Sequence, residues 1–377
     1  MNKNLFIKLN EKNNLISEVL LKAKLKDLPI GLFSGLTGIM LYHALSYKAT
    51  EDQIHMKRIE ELLDLAMVKI NAGEISYTLC DGLAGFCWFM DFLYTLEIFD
   101  FDNDEFLKQF DDLLIKKMKN NTHINNIDFL HGNLGILFYF IERWKKTSNR
   151  ELKIKYTEIV NNQVKYFISI SEKNNLGLLF WRTNFNLDSK RTAINFGLAH
   201  GIPSIIRILQ IIDDYCIPLY DNYLDHIINQ SCQFLYENRN NITFKSQYPS
   251  WILNSEINHD SRLGWCYGDI GIGLTYLYSK TSFFNKEAIN IFNKVIERKT
   301  VKETSVEEGC FCHGAFGIAY IYQKLYKNFK NIDYKNYSLF WYERGLEMGS
   351  NELGFAGYLT QTRGKSNWEG RYDLLTG

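Results

Sequence analysis

Apolar residues recur along the chain in two alternating kinds of segment. In one kind, such as DEFLKQFDDLLIKKMK from Asp104 and NKEAINIFNKVIERKT from Asn285, they fall three and four residues apart with charges between them. That spacing predicts helices with one buried face. The other kind is almost uncharged and rich in aromatics, and each copy opens on G-x-x-G or a close variant. The copies are SGLTGIMLYHAL from Ser34, DGLAGFCWFMDFL from Asp81, HGNLGILFYFI from His131, HGIPSIIRIL from His200, YGDIGIGLTYLY from Tyr267 and HGAFGIAYIY from His313. A seventh opens as DLLTG, where the chain stops at Gly377. The leading glycines, Gly35, Gly82, Gly132, Gly201, Gly268, Gly314 and Gly377, stand 47, 50, 69, 67, 46 and 63 residues apart. Each interval holds about two helices with their connections.

A helix that is apolar all round must be covered on every side. A double ring, with charged helices outside and apolar ones inside, does this without any sheet. The expected fold class is therefore all-α, an α/α toroid built as a single domain over residues 1–377. The glycines would mark the start of each inner helix, where a loop turns sharply and backbones pass closely. Because the last copy breaks off at Gly377, the final inner helix is expected to be missing, so either the chain is truncated or the ring closes differently. Strand-like sequence is confined to NLGLLFWRTNF, residues 175–185, expected as a hairpin or loop insertion in the longest interval. No strand precedes the glycines in a βαβ setting, which removes the dinucleotide-binding reading. Residues 28–47 carry no charge and approach membrane-spanning length. Pro29, Ser34, Thr37, His43 and Ser46 interrupt them, and similar stretches recur throughout, so a helix of the repeat is expected there.

With 46% hydrophobic residues over 377 positions the chain can bury a large core. Its 43 basic and 43 acidic residues cancel, so no field is available to hold a phosphate backbone, and nucleic acid is not an expected partner. The N-terminal MNKNLFIKLNEKNNLISEVL lacks the continuous apolar segment of a secretory signal, which points to the cytoplasm. In that compartment the 7 cysteines read as ligands, nucleophiles or core residues in preference to disulfides.

In a toroid the residues just ahead of the leading glycines gather at one end of the central cavity. These pairs are Phe33–Ser34, Cys80–Asp81, Leu130–His131, Ala199–His200, Cys266–Tyr267 and Cys312–His313. Cys266, Cys312 and His313 would supply two thiolates and an imidazole, a soft set suited to one Zn²⁺ with its fourth position open, as in catalytic sites. Taken without the repeat, a buried cysteine is more often plain core. His131 reads as a hydrogen-bonded core or cap residue, Cys80 and Cys87 as core, and His259 as surface.

These motifs resemble those of the lanthionine synthetase C-like cyclases. WCYG at Trp265 to Gly268 and CHG at Cys312 to Gly314 are similar to that family's two zinc motifs, and GLAHGIP at Gly197 to Pro203 to its catalytic-histidine motif. The ordered G-x-x-G copies extend the resemblance over the whole chain. It implies an α/α toroid with zinc held by Cys266, Cys312 and His313. It also implies formation of (methyl)lanthionine rings, by Michael addition of peptide cysteines to dehydroalanine or dehydrobutyrine in a ribosomally made precursor. By the same match His200 is the catalytic histidine, Asp128 in IDFLHG the catalytic aspartate, and Arg262 and Tyr267 active-site residues. Cys310 has no role in the family pattern, and Ser204 replaces the second glycine of the fourth copy.

The chemistry explains why such groups are needed. A peptide thiol with an ordinary pKa of about 8.5 is mostly protonated at neutral pH, and zinc holds it as thiolate. The enolate formed by attack needs a positioned acid, a role suited to a histidine, with Asp128 orienting or relaying and Arg262 facing the enolate oxygen. Implied partners are a dehydrated precursor peptide, leader plus core, with room for a dehydratase and an export transporter, and such a complex would bring a cytoplasmic enzyme to the membrane. One alternative in the same fold is a relative that binds or adds glutathione-like thiols. Others are a zinc prenyltransferase-like toroid with an aspartate ligand, a carbohydrate-active toroid with paired cavity carboxylates, and a metal-free scaffold.

Overall fold

The computed structural model describes residues 3–185, 191–221, 223–241, 244–361 and 367–377. In chain order the first elements are α1 (Lys3–Lys22), α2 (Leu36–Thr50), α3 (Gln53–Ala72), α4 (Leu83–Thr95), α5 (Asn103–His123), α6 (Asn133–Lys146) and α7 (Arg150–Ser169). Strands β1 (Glu172–Lys173), β2 (Leu179–Phe180), β3 (Arg182–Asn184) and β4 (Thr192–Asn195) follow, then α8 (Ile202–Asp214) and α9 (Leu224–Glu237). After β5 (Trp251–Leu253) and β6 (Glu256–Asn258) come α10 (Asp269–Leu277), α11 (Ser282–Val295), α12 (Val301–Thr304), α13 (Ala315–Phe329) and α14 (Ile332–Met348). The short strands β7 (Thr360–Gln361) and β8 (Trp368–Glu369) come last. Two compact units are formed, one from Tyr77–Val295 and one from Met1–Ser76 with Ile296–Gly377.

In the Tyr77–Val295 unit the G-x-x-G helices α4, α6, α8 and α10 pack side by side in that order, and each also packs on the helix that follows it. Their sequences explain the arrangement. Helix α4 buries the consecutive residues Leu83, Ala84, Gly85, Phe86 and Cys87, a full turn, and so is covered all round its axis there. Helix α5 buries Leu107, Phe110, Leu114 and Met118, a single stripe, and leaves its lysines in water. Among the described residues Arg143 is the one fully buried cation, and carboxylates from neighbouring helices hold it. Arg143 Nη1 donates to Asp91 at 2.9 Å and Nη2 to Asp104 at 2.5 Å, while Lys146 meets the other Asp91 oxygen at 2.7 Å. An unpaired charge there would cost several kcal/mol, about 3–5 by mutational precedent.

The insertion expected at residues 175–185 contains strands. Strand β1 pairs antiparallel with β2, and β3 begins a four-stranded antiparallel sheet in the order β3-β4-β5-β6. The alternation along the sequence did not predict β4, β5 and β6. The sheet's service to the site is to aim β4, whose last residue Asn195 leads directly into the GLAHGIP turn.

In the other unit α2 packs on α3, α13 on α14, and α14 on α1. The uncharged stretch 28–47 forms a turn and the 15-residue α2, and no helix among the described residues is long and apolar enough to cross a membrane. The DLLTG segment forms a turn closed by Asp373 Oδ1, which accepts the N–H groups of Leu375 at 3.1 Å, Thr376 at 2.5 Å and Gly377 at 3.1 Å.

Candidate active site

Each leading glycine from Gly35 to Gly314 is the N-cap of its helix, as the repeat predicts. Gly268 alone requires a left-handed backbone, with φ of 85°, and a Cβ there would stand 2.5 Å from the Arg262 carbonyl oxygen. The turns brace one another through the residue two before each glycine. In one unit Cys80 N–H donates to Leu130 O at 3.0 Å and Ala199 N–H to Cys266 O at 3.2 Å. In the other, Cys312 N–H donates to Leu375 O at 2.9 Å and Leu375 N–H to Phe33 O at 3.2 Å. Side chains next to these glycines are therefore presented by a fixed backbone.

Within Tyr77–Val295 the structure brings His200, Asp128 and Tyr267 together. His200 Nδ1 lies 2.6 Å from Asp128 Oδ2, while Asp128 Oδ1 accepts the His131 N–H at 2.8 Å. Burial pushes the Asp128 carboxyl up, but the charge and hydrogen bond of His200 outweigh it and hold the group below the ordinary carboxylate value. The Asp128 carboxylate thus engages the Nδ1 side of the His200 ring. The His131 ring stacks on that of His200 at 6.2 Å and 6°.

The Tyr267 ring sits 6.0 Å from the His200 ring, and its hydroxyl accepts from Asn195 Nδ2 at 3.0 Å. Asn195 Oδ1 in turn accepts the Gly197 N–H at 2.8 Å, so one side chain ties β4, the GLAHGIP turn and Tyr267. Cys266 is buried beside Tyr267, and Arg262 is half-buried in the same loop. The fit is tight, because a Cβ on Gly197 would stand 2.7 Å from both the Cys266 oxygen and Tyr267 Cε1.

Cys312 and His313 belong to the other unit, at the start of α13, with donor atoms within 4.8 Å of each other. His313 Nε2 lies 3.3 Å from Glu308 Oε2, and Glu308 is only 3% exposed. The same oxygen accepts from Thr360 Oγ1 and faces the Cys310 thiol at 3.9 Å. A buried carboxylate thus holds the Nε2 side of the His313 ring.

Other expectations fare unevenly. Cys87 is fully buried, and burial with the nearby Asp111 charge pushes its thiol well up, as befits a core residue. His131 is hydrogen-bonded as a cap residue would be, but its Nδ1 also meets Asp81 Oδ1 at 3.2 Å. Burial raises the Asp81 carboxyl, and bonds from His131, Thr78 and Cys80 more than offset it, so the group is lowered. His259 is half-buried against Phe244 and bonded to Asn240 at 2.8 Å, not the surface residue expected. Glu308 and Asn195 were not singled out in the sequence, where neither belongs to a motif.

A family model described as lanthionine synthetase C-like protein matches residues 26–362. The nisin biosynthesis protein NisC of Lactococcus lactis subsp. lactis is 24% identical over 315 residues, covering 76% of this chain and 71% of that protein. A solved structure of a nisin cyclase aligns with a TM-score of 0.69 at 20% identity, covering 91% of this chain and 89% of the other. That likeness gives the fold class, all-α and of the α/α toroid kind that the repeats predict.

Proposed function

The chain belongs to the lanthionine synthetase C-like family, and from that premise we propose that it closes thioether rings in a dehydrated, ribosomally made peptide. The reaction adds a cysteine thiol across dehydroalanine or dehydrobutyrine. The S–H bond breaks, sulfur bonds to the β-carbon, and a proton ends on the α-carbon. The observation that carries the reading is the 2.6 Å contact of His200 with Asp128, beside Tyr267, on the turns whose sequence carries the family motifs.

The donor set fits zinc. Cys266 and Cys312 are buried thiols and His313 has one ring nitrogen held by a buried carboxylate, a combination suited to a tetrahedral ion with an open position. When bound there, zinc would keep the incoming peptide thiol as a nucleophilic thiolate near neutral pH. The chain's own groups do the rest. His200 delivers the proton to the α-carbon from Nε2, and Asp128 fixes its ring and stabilises its charged form. Tyr267 packs on His200 and is itself fixed by Asn195, and Arg262 faces the enolate oxygen. The nisin proteins named above are similar to this chain, which supports a precursor peptide as partner. A dehydratase, a transporter and a cytoplasmic location fit that pathway.

The test mixes the purified chain with a synthetic peptide carrying cysteine and dehydroalanine and follows free thiol by alkylation and mass spectrometry. His200→Asn should slow ring closure by about 10²- to 10⁴-fold, the range for a lost general acid, with zinc content unchanged. Cys312→Ala should lose one equivalent of zinc. A wild-type rate in His200→Asn defeats the proton-transfer assignment, and loss of zinc from it moves His200 into the coordination shell.

A further inference from the structure

The Tyr77–Val295 unit holds another convergent set of donors. Cys80 Sγ, an Asp81 oxygen and a His131 ring nitrogen all lie within 4.8 Å of one another, with Asp81 Oδ1 and His131 Nδ1 at 3.2 Å. A tetrahedral ion with bonds of about 2.0–2.3 Å separates its ligand atoms by roughly 3.3–3.8 Å. The Asp81–His131 pair is within about 0.1 Å of that separation, and the thiol lies within 4.8 Å of both.

Placement along the repeat is the second argument. Cys80 and Asp81 stand two and one residues ahead of Gly82, and His131 stands one ahead of Gly132 in the next copy. Cys266 holds the first of these places ahead of Gly268, and Cys312 and His313 hold both ahead of Gly314, again in consecutive copies. A repeat that presents a soft donor pair at one junction presents a comparable pair at another. The junction is braced, because Cys80 N–H bonds Leu130 O at 3.0 Å and α4 packs on α6.

The surroundings complete the picture. Thr78 Oγ1 donates to Asp81 Oδ1 at 3.0 Å, the kind of outer partner that orients a ligating carboxylate. Cys80 is 2% exposed, whereas the Asp81 and His131 side chains are 34% and 23% exposed, which leaves a way in for an ion and a place for a fourth ligand. We propose that Cys80, Asp81 and His131 form a second site for a borderline-soft divalent cation such as Zn²⁺, separate from Cys266, Cys312 and His313. Binding displaces the thiol proton of Cys80 to solvent and places a fixed positive charge beside His200, on which His131 stacks.

The full chain, stripped with chelator, is titrated with Zn²⁺ and separately with Cd²⁺, desalted, and its metal counted by elemental analysis. Wild type should hold two equivalents and Cys80→Ser one, and the thiolate-to-cadmium absorption of Cys80→Ser should fall by about a third, one thiolate in three. Asp81→Asn and His131→Gln keep the thiol and should also hold one equivalent, with unchanged far-UV spectra. Wild type saturating at one equivalent with Cys80→Ser unchanged overturns the site and leaves only a proton-bonded His–Asp pair. Two equivalents retained in Cys80→Ser overturn it as well. The separate reading of Cys266, Cys312 and His313 fails instead if Cys312→Ser keeps every equivalent that wild type holds.

Discussion

Replacing Gly197 by alanine puts one methyl group at a close approach between two turns of the candidate site. Its carbon would stand 2.7 Å from the Cys266 carbonyl oxygen and 2.7 and 2.9 Å from two carbons of the Tyr267 ring. Carbon atoms in contact settle at about 3.5–4.0 Å, so the Cys266–Tyr267 turn must retreat by roughly 1 Å. It cannot do so freely, because Cys266 O holds Ala199 N–H at 3.2 Å and the Tyr267 hydroxyl holds Asn195 at 3.0 Å. Overpacking of this kind costs about 1–3 kcal/mol. A displacement of about 1 Å near reacting groups costs about 10²-fold in rate. Gly197→Ala should therefore lower the urea midpoint by that energy, slow ring closure about 100-fold, and weaken zinc in competition with a chelator, because Cys266 moves with the turn. A variant with the wild-type midpoint and a rate within about twofold of wild type would show that the turn yields at no cost, and the account of a rigidly presented Cys266 and Tyr267 would be wrong.

Glu308→Gln should lower zinc affinity by about 10- to 100-fold, since the carboxylate holding His313 Nε2 is replaced by a weaker acceptor; an unchanged dissociation constant refutes that role. Asp128→Thr keeps an oxygen for the His131 N–H but removes the one on His200, so ring closure should slow by about 10²- to 10⁴-fold with stability within about 1 kcal/mol of wild type. His43 is fully buried, and burial, then His55 and Arg58, push its imidazole from 6.5 down to about 3. Between those values the unfolded chain binds the extra proton and the folded chain does not, so stability should fall as pH drops from 6.5 toward 3. His43→Gln should flatten the urea midpoint across that window, and an equally steep acid loss in the variant refutes the assignment.

The inner helices were legible because their signal is redundant. In α4 the apolar residues lie all round the axis, and Gly82 fixes where the helix begins, so periodicity and punctuation agree. Strands β4 to β6 were not legible, because three or four residues such as Trp251–Leu253 are too few to display alternation and are held by their pairing partners. Within the site, His200, Asp128 and Tyr267 were singled out through the resemblance of their motifs to the family's, each at a fixed offset from a glycine. Glu308 could not, being one of 43 acidic residues, six positions before Gly314, and selected only by a turn that folds it onto His313. Cys80 was read as core, and it is buried; its neighbours Asp81 and His131 come from consecutive copies, and only the backbone bond between their turns makes the cluster visible.

The offset of four residues before the glycine shows how a structural device acquires chemistry. At that place Thr78 Oγ1 accepts the Asp81 N–H at 3.2 Å, Asp128 Oδ1 accepts the His131 N–H at 2.8 Å, and Asp373 Oδ1 accepts the Thr376 N–H at 2.5 Å. In each case a side-chain oxygen closes the turn by satisfying the donor just ahead of the glycine, a local bond available to threonine and aspartate alike. Threonine has one oxygen, and that of Thr78 serves its own turn, accepting the Asp81 N–H and donating to Asp81 Oδ1. Aspartate has a second, and in the third copy that oxygen reaches the histidine of the fourth. The dyad thus required no new backbone geometry, only a carboxylate where a hydroxyl suffices for folding, which is why the burden of removing it should fall on catalysis more than on stability.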